Sequence, residues 1–203
     1  MKICITGTSS GIGKKINDLL VQKNYITIPL TRNEIDLGDI ASVVNYDFSY
    51  CDILINCAGN DLGGKCLFAE HDPKKWTEVL NVNLTSSILL TQKALMKNPK
   101  SVICNITSTN CDKYYGNDLI YTLTKNSLSN FTDLLKVDFP DGKFKEFRVG
   151  LTKTNFNKNR YKFSENIADD DKFYSQPHLE PSFVAQKIVE FVFSDTDFQR
   201  LSP

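Results

Sequence analysis

The chain has 203 residues, of which 41% are hydrophobic, enough for one substantial core and, at roughly 100–200 residues per domain, a single domain. Lys+Arg and Asp+Glu are equal at 24 each and scattered, which argues against a nucleic-acid or anionic-membrane surface. No apolar run reaches the roughly 18 residues of a membrane span, and Met1 leads directly into strand-like sequence with no signal-peptide layout, so a cytoplasmic protein is expected.

Taken in chain order, Ile3, Cys4, Ile5 and Thr6 predict a buried strand over 2–6, and Ile16, Leu19 and Leu20 recur at helical spacing in a helix over 13–23. Gly7, Gly11 and Gly13 lie at the junction between them. Further strands are expected over 25–30, 53–57, 101–107, 144–150 and, very short, 198–201, with helices over 72–96, 119–137 and 182–193. This alternation implies a doubly wound α/β fold of Rossmann type, with a parallel sheet, right-handed crossovers and helices on both faces, over residues 1–203. The polar stretch 154–181 stands out as a substrate lid, since loops of that length in compact domains are usually functional or disordered. Its charges, with Lys153, Lys158, Arg160 and Lys162 set against Asp169, Asp170 and Asp171, read as a solvated surface.

The six cysteines are dispersed and read as reduced small hydrophobes. His71 and His178 stand outside any CxxC or HExxH spacing and read as ordinary surface residues, so no metal site is expected.

A glycine turn between a strand and a helix has a physical use. One Gly permits the tight turn, the next lets a pyrophosphate approach the backbone, and the third lets the helix pack closely with its N-terminus toward the phosphates. Tyr121 and Lys125 are four residues apart on a predicted helix and so share one face, where an ammonium favours the ionised phenol.

Motifs spread along the chain in a fixed order carry a resemblance. "TGTSSGIG" (residues 6–13), "NCAG" (56–59), "NVN" (81–83), "NITS" (105–108) and "YTLTK" (121–125) resemble, in sequence, the elements of the short-chain dehydrogenase/reductase family, with Ser108 and Tyr121 at the family's usual separation of 13 residues. The resemblance implies an oxidoreductase that transfers a hydride between a nicotinamide cofactor and a small carbonyl or alcohol substrate. Tyr121 would exchange the substrate proton, Lys125 would also hold the nicotinamide ribose, and Ser108 would donate to the carbonyl oxygen. Asn83 would hold a water linking Lys125 to solvent. Cofactor contacts are implied at Gly7, Ser9, Ser10, Gly11, Ile12, Gly13, Asp36, Leu37, Asn56, Ala58, Gly59, Gly150, Thr152 and Thr154.

NADP(H) is favoured over NAD(H), because Thr31 and Arg32 follow the second strand without an acid and an arginine can pair with a 2'-phosphate. The chain departs from the family pattern in four places. Only "NEI" separates Arg32 from Asp36, so the third crossover is expected to be reduced to a turn and the sheet edge abbreviated. Val149 stands at a proline position, Ser10 replaces the basic residue that many NADP members carry, and the C-terminus is short. "TRNEIDL" is also similar to the dTDP-4-dehydrorhamnose reductase branch, which makes a sugar-nucleotide reductase the alternative, with a non-catalytic dinucleotide sensor as a third reading. Asn110, Cys111, Tyr114 and Tyr115, with Phe156, Tyr161 and Phe163 from the lid, are expected near the substrate. The resemblance further implies a homodimer or homotetramer paired through the two long helices, with Ser86, Ile88, Leu89, Leu128 and Phe131 as contact candidates.

Overall fold

The structure, a computed structural model, describes residues 1–62, 66–114, 116–161 and 174–203. Tyr115, Lys162, Phe163, Asp169, Asp170 and Asp171 lie outside the described residues, as does the side chain of Tyr161.

The elements follow in the order β1 (Lys2–Thr6), α1 (Gly11–Gln22), β2 (Ile26–Leu30), α2 (Ile40–Asn45), β3 (Ile53–Asn56), α3 (Pro73–Leu80), α4 (Ser86–Lys97), β4 (Val102–Ser108), α5 (Leu119–Asp138), β5 (Phe144–Val149), α6 (Phe156–Tyr161), α7 (Pro181–Val192) and β6 (Phe198–Leu201). The strands form one parallel sheet in the order β2-β1-β3-β4-β5-β6. Residue alternation along each strand sends side chains to opposite faces. Ile3, Ile5, Ile53, Ile55, Cys104, Ile106 and Phe147 pack with α1 and α7, while Cys4, Leu54, Ile103 and Phe144 pack with α2, α4 and α5. The inner strands β1, β3, β4 and β5 are therefore buried on both faces, as the near-continuous apolar runs of a parallel sheet require, whereas the edge strands β2 and β6 are partly exposed.

The link between Arg32 and Asp36 is a turn, as expected, but an unexpected helix follows it. The chain curls from Thr31, whose carbonyl accepts from the Ile35 amide at 3.0 Å, and then forms the six-residue helix α2, with Asp39 accepting from the Ala41 amide at 3.0 Å. With no strand in this described stretch, β2 is the sheet edge, so the abbreviation itself holds. The helix expected over 72–96 is not continuous: Asn81–Thr85 widens into one π-type turn between α3 and α4. Turns of this kind recur at functional sites, because they displace side chains that a regular helix would stack.

Within β5 two adjacent buried charges are fully engaged. Lys145 donates to the carbonyls of Ser194 at 2.7 Å and Thr196 at 2.6 Å, closing the turn after α7. Glu146 accepts from Thr107 at 2.6 Å, Ser129 at 3.1 Å and Arg148 at 2.8 Å, locking β4, α5 and β5 together just below Ser108. Neither was singled out in the sequence, because a lone charge within an apolar run does not announce its partner.

Candidate active site

The cleft opens at the carboxyl ends of the strands, the usual position for a ligand in an open α/β sheet. It measures about 1170 Å³ and runs from the β1–α1 turn to α6.

One end is made of backbone. Gly7 has φ +74° and Gly11 φ +57°, in the left-handed region where a side chain is strained. A Cβ at Gly7 would lie 2.8 Å from the Ala58 Cα, and one at Gly13 would lie 2.3 Å from the Gly7 carbonyl oxygen. The three glycines thus let β1, the start of α1 and the loop after β3 close on one another. Thr6 fastens that loop, its hydroxyl accepting from the amides of Cys57 at 3.0 Å and Ala58 at 2.9 Å. The first turn of α1 carries no acid, so its N-terminal positive end is left for an anion. Such a backbone cradle fits a dinucleotide pyrophosphate.

Of the residues expected to meet a cofactor, Gly7, Ser9, Ser10, Gly11, Ile12, Gly13, Arg32, Asp36, Leu37, Ala58, Gly59, Gly150, Thr152 and Thr154 line the cleft. Asn56 does not. It is buried in the sheet, donating to Asn105 at 2.8 Å and Thr91 at 3.2 Å, and so ties β3 to β4 and α4 instead. The end of β2 is not free of acid either. The Thr31 turn folds Glu34 back, and its carboxylate accepts from the Thr31 amide at 2.9 Å and from the Thr31 hydroxyl. Arg32, the residue after Thr31, has its side chain 74% exposed and 3.9 Å from Glu78. Asn81, which opens the π-type turn, and Ser86, which follows it, donate to the carbonyls of Gly38 at 2.9 Å and Leu37 at 2.7 Å, which steadies the wall next to Asp36.

At the other end β4 delivers Ser108 and α5 delivers Tyr121 and Lys125 to the same wall. Ser108 is buried, its oxygen accepting from the Asn110 amide at 3.1 Å. Burial drives the Tyr121 phenol above its ordinary pKa, and the Ser108 hydroxyl within hydrogen-bonding reach and the Arg160 guanidinium draw it back down. Lys125 Nζ lies 5.9 Å from the Tyr121 ring centroid and donates to the Ile106 carbonyl at 3.0 Å. Burial lowers the lysine's pKa, against a smaller opposite pull from Cys57 and Cys111. Cys57, on the same wall, is pushed up to about 12 by burial and stays a neutral thiol.

Asn83 lies in the π-type turn, fully buried and outside the cleft wall. Its amide donates to the Asn60 carbonyl at 2.8 Å and to Thr124 at 3.1 Å, while its oxygen accepts from the Asn60 amide at 2.8 Å. It therefore pins the loop after β3 against α5.

The lid charges require the largest correction. Arg160 is not solvated: it is only 6% exposed and contacts Asp61 and Asp118, the latter at 3.1 Å. A buried guanidinium persists only where carboxylates compensate its lost hydration, and Asp61 and Asp118 come from two other elements that the linear sequence does not connect. Tyr174 was missed as well. Its hydroxyl donates to the Thr154 carbonyl at 2.9 Å and accepts from Asn157 at 2.8 Å, and Thr152 bridges to Leu179, so both described ends of the stretch 154–181 are fastened. Phe156 and Asn110 line the cleft; Tyr114 is 79% exposed, and Cys111 lies outside the lining.

The family model for short chain dehydrogenases matches residues 37–165. The chain belongs to the short-chain dehydrogenase family. A relative from Schizosaccharomyces pombe, an NADP-dependent 3-hydroxy acid dehydrogenase, is 28% identical over 223 aligned positions that cover 92% of this chain and 85% of the relative. Among solved structures, the closed form of a serine dehydrogenase with NADP+ matches with a TM-score of 0.83 at 18% identity, covering 99% of this chain and 94% of that one. A small-chain dehydrogenase in complex with NADPH matches at 0.84 and 18%, covering 100% and 96%. At this identity the two structures establish the fold of the short-chain dehydrogenase and nothing finer. No helix among its described residues is long and apolar enough to cross a membrane.

Proposed function

We propose that this short-chain dehydrogenase is a cytoplasmic NADP-dependent oxidoreductase acting on a small carbonyl or alcohol, with Tyr121 as proton donor and acceptor. The observation that carries this reading is the meeting, in one cleft, of a glycine cradle suited to a pyrophosphate and the group Ser108, Tyr121 and Lys125. NADP is favoured by Arg32 on the wall at the end of β2 and by the NADP dependence of the yeast relative. When bound, the nicotinamide supplies or takes up the hydride.

The chain's own residues manage charge and protons. Ser108 donates to the substrate oxygen, where negative charge grows as the carbonyl is reduced. Tyr121 hands that oxygen its phenolic proton, and Lys125 favours the tyrosinate left behind while holding the ribose hydroxyls. Asn83 keeps Asn60 and α5 in register beside Lys125, the path by which the proton is replaced. The names of the yeast relative and of the serine dehydrogenase make short hydroxy acids the first substrates to try. Pairing through α4 and α5 would give a dimer or tetramer, which light scattering would report as a multiple of the chain mass.

A fluorescence titration with NADPH and, separately, NADH tests the reading without a substrate. Tighter NADPH binding is expected. Preference for NADH would remove Arg32 from cofactor choice, and binding of neither would overturn the reading.

A further inference from the structure

The cluster of Asp61, Arg160 and Asp118 lies against the catalytic tyrosine and belongs to no motif. Arg160 projects from α6, and its guanidinium carbon is 5.7 Å from the Tyr121 ring centroid and 5.8 Å from that of Phe156. Asp118 immediately precedes α5, the helix that carries Tyr121, and accepts from Asn110 at 3.0 Å and from Arg160 at 3.1 and 3.3 Å. Asp61 follows the "NCAG" loop, is 4% exposed, and contacts Arg160 and Asp118. Among the described residues, the Arg160 guanidinium thus stands between two buried carboxylates and over the ring of a phenol that must change charge.

We propose that Arg160 is a second cation acting on Tyr121, beside Lys125, and that Asp61 is the positioning residue that holds it there and tempers its strength. This inference rests on the reading of Tyr121 as the proton donor and acceptor. At about 6 Å in a partly desolvated site a unit charge is worth a substantial change in a neighbour's ionisation. Arg160 therefore favours the tyrosinate, and the ionised aspartates oppose it. Among the described residues, the charged and titratable groups around Tyr121 are Lys125 on its own helix, Arg160 from α6, Asp61 from the loop after β3 and Asp118 at the start of α5, with Ser108 the hydrogen-bonding neighbour from β4. Asp61 is faced by Arg160 and Asp118, and exerts a smaller influence on Cys66.

A packing role and this electrostatic role differ in sign. A residue that only held the lid would, when lost, disturb Tyr121 in one direction whichever partner was removed. The proposal requires opposite directions: losing Arg160 makes Tyr121 harder to ionise, and losing the Asp61 charge makes it easier.

The test is an alkaline titration of tyrosinate absorbance in each protein minus its Tyr121→Phe counterpart. Asp61→Asn, which keeps the shape of the side chain, is the principal variant, because Arg160→Gln strips two buried carboxylates of their counter-ion and strongly destabilises. Arg160→Lys retains the charge. Onset of Tyr121 ionisation should move about one pH unit lower in Asp61→Asn, about one unit higher in Arg160→Gln, and stay near wild type in Arg160→Lys. An unmoved or later onset in Asp61→Asn would overturn the proposal even if Arg160→Gln failed to fold. Oxidation of 3-hydroxypropanoate with NADP+ is measured in parallel. Turnover with an unmoved onset sinks this inference alone; a shifted onset with no cofactor binding sinks the oxidoreductase reading and leaves the electrostatic coupling standing.

Discussion

The two ends of the cleft are built from different materials. At the cofactor end the surface is backbone: Gly7 and Gly11 at positive φ, Gly13 against the Gly7 carbonyl, and the Cys57 and Ala58 amides on Thr6. At the end that holds Tyr121 it is side-chain charge, with Asp118 and Arg160 on the wall and the buried Asp61 against Arg160, brought together from positions far apart in the chain. A site made of backbone demands particular residues at fixed short spacing, and so leaves a local signature. A site made of side-chain charge demands only that compensating groups meet in space. The first tolerates almost no change in shape, whereas the second responds to change in charge and therefore to pH.

The largest expected effect removes the chemistry and leaves both ends in place. Tyr121→Phe should lower turnover by at least about 100-fold, the low end of what positioned proton transfer contributes, with NADPH affinity unchanged by fluorescence titration. Unchanged turnover would take Tyr121 out of the mechanism. Next comes an attack on the backbone end. A methyl at Gly13 would sit 2.3 Å from a carbonyl oxygen, so Gly13→Ala should cost about 1–3 kcal/mol in chemical denaturation and weaken NADPH binding. Gly116→Ala is the control, because nothing lies within 4 Å of the added atom, and its denaturation midpoint should hardly move.

At the substrate end the break is in charge. Burial, partly offset by Arg160, pushes Asp61 up to about 7, whereas an unfolded aspartate releases its proton near 4. Between those two values the folded protein binds the extra proton, so this group's contribution to stability falls as pH rises from about 4 to about 7 and is constant above. Asp61→Asn should remove that decline, flattening the wild-type melting temperature across the window by an amount equivalent to about 1 kcal/mol or more. Parallel curves for the two proteins would mean that Asp61 titrates as an ordinary surface acid.

The same contrast explains what could be read in the sequence. Alternating apolar runs determined the parallel sheet, and the glycine turn was visible because backbone strain restricts the residues allowed there. Tyr121 and Lys125 were visible as a pair because one helix face joins them. By sequence Arg160 reads as one of several solvated lid charges, since local composition cannot tell a hydrated guanidinium from one buried between two distant carboxylates. Asn56 was assigned to the cofactor on motif order alone, yet its partners Asn105 and Thr91 lie across the sheet. The π-type turn reads in the sequence as continuous helix because its apolar and polar pattern is helical on both sides. In each case the missing information was a long-range partner or a local winding that periodicity averages out.

The smallest expected effect tests whether the end of β2 behaves as backbone or as charge. Glu34 holds its carboxylate on the Thr31 amide at 2.9 Å, where it closes a turn that also contains the exposed Arg32. Glu34→Gln keeps an oxygen that can accept from Thr31 and removes the charge. If a 2'-phosphate binds against Arg32, this variant should bind NADPH a few-fold more tightly with NADH unchanged, as expected for an exposed charge worth about 0.2–1 kcal/mol. Arg32→Ala should shift NADPH affinity the opposite way by a similar factor. Equal responses of the two cofactors would mean that Glu34 serves the turn alone, and the discrimination between them would then have to come from the helix end near Ser10.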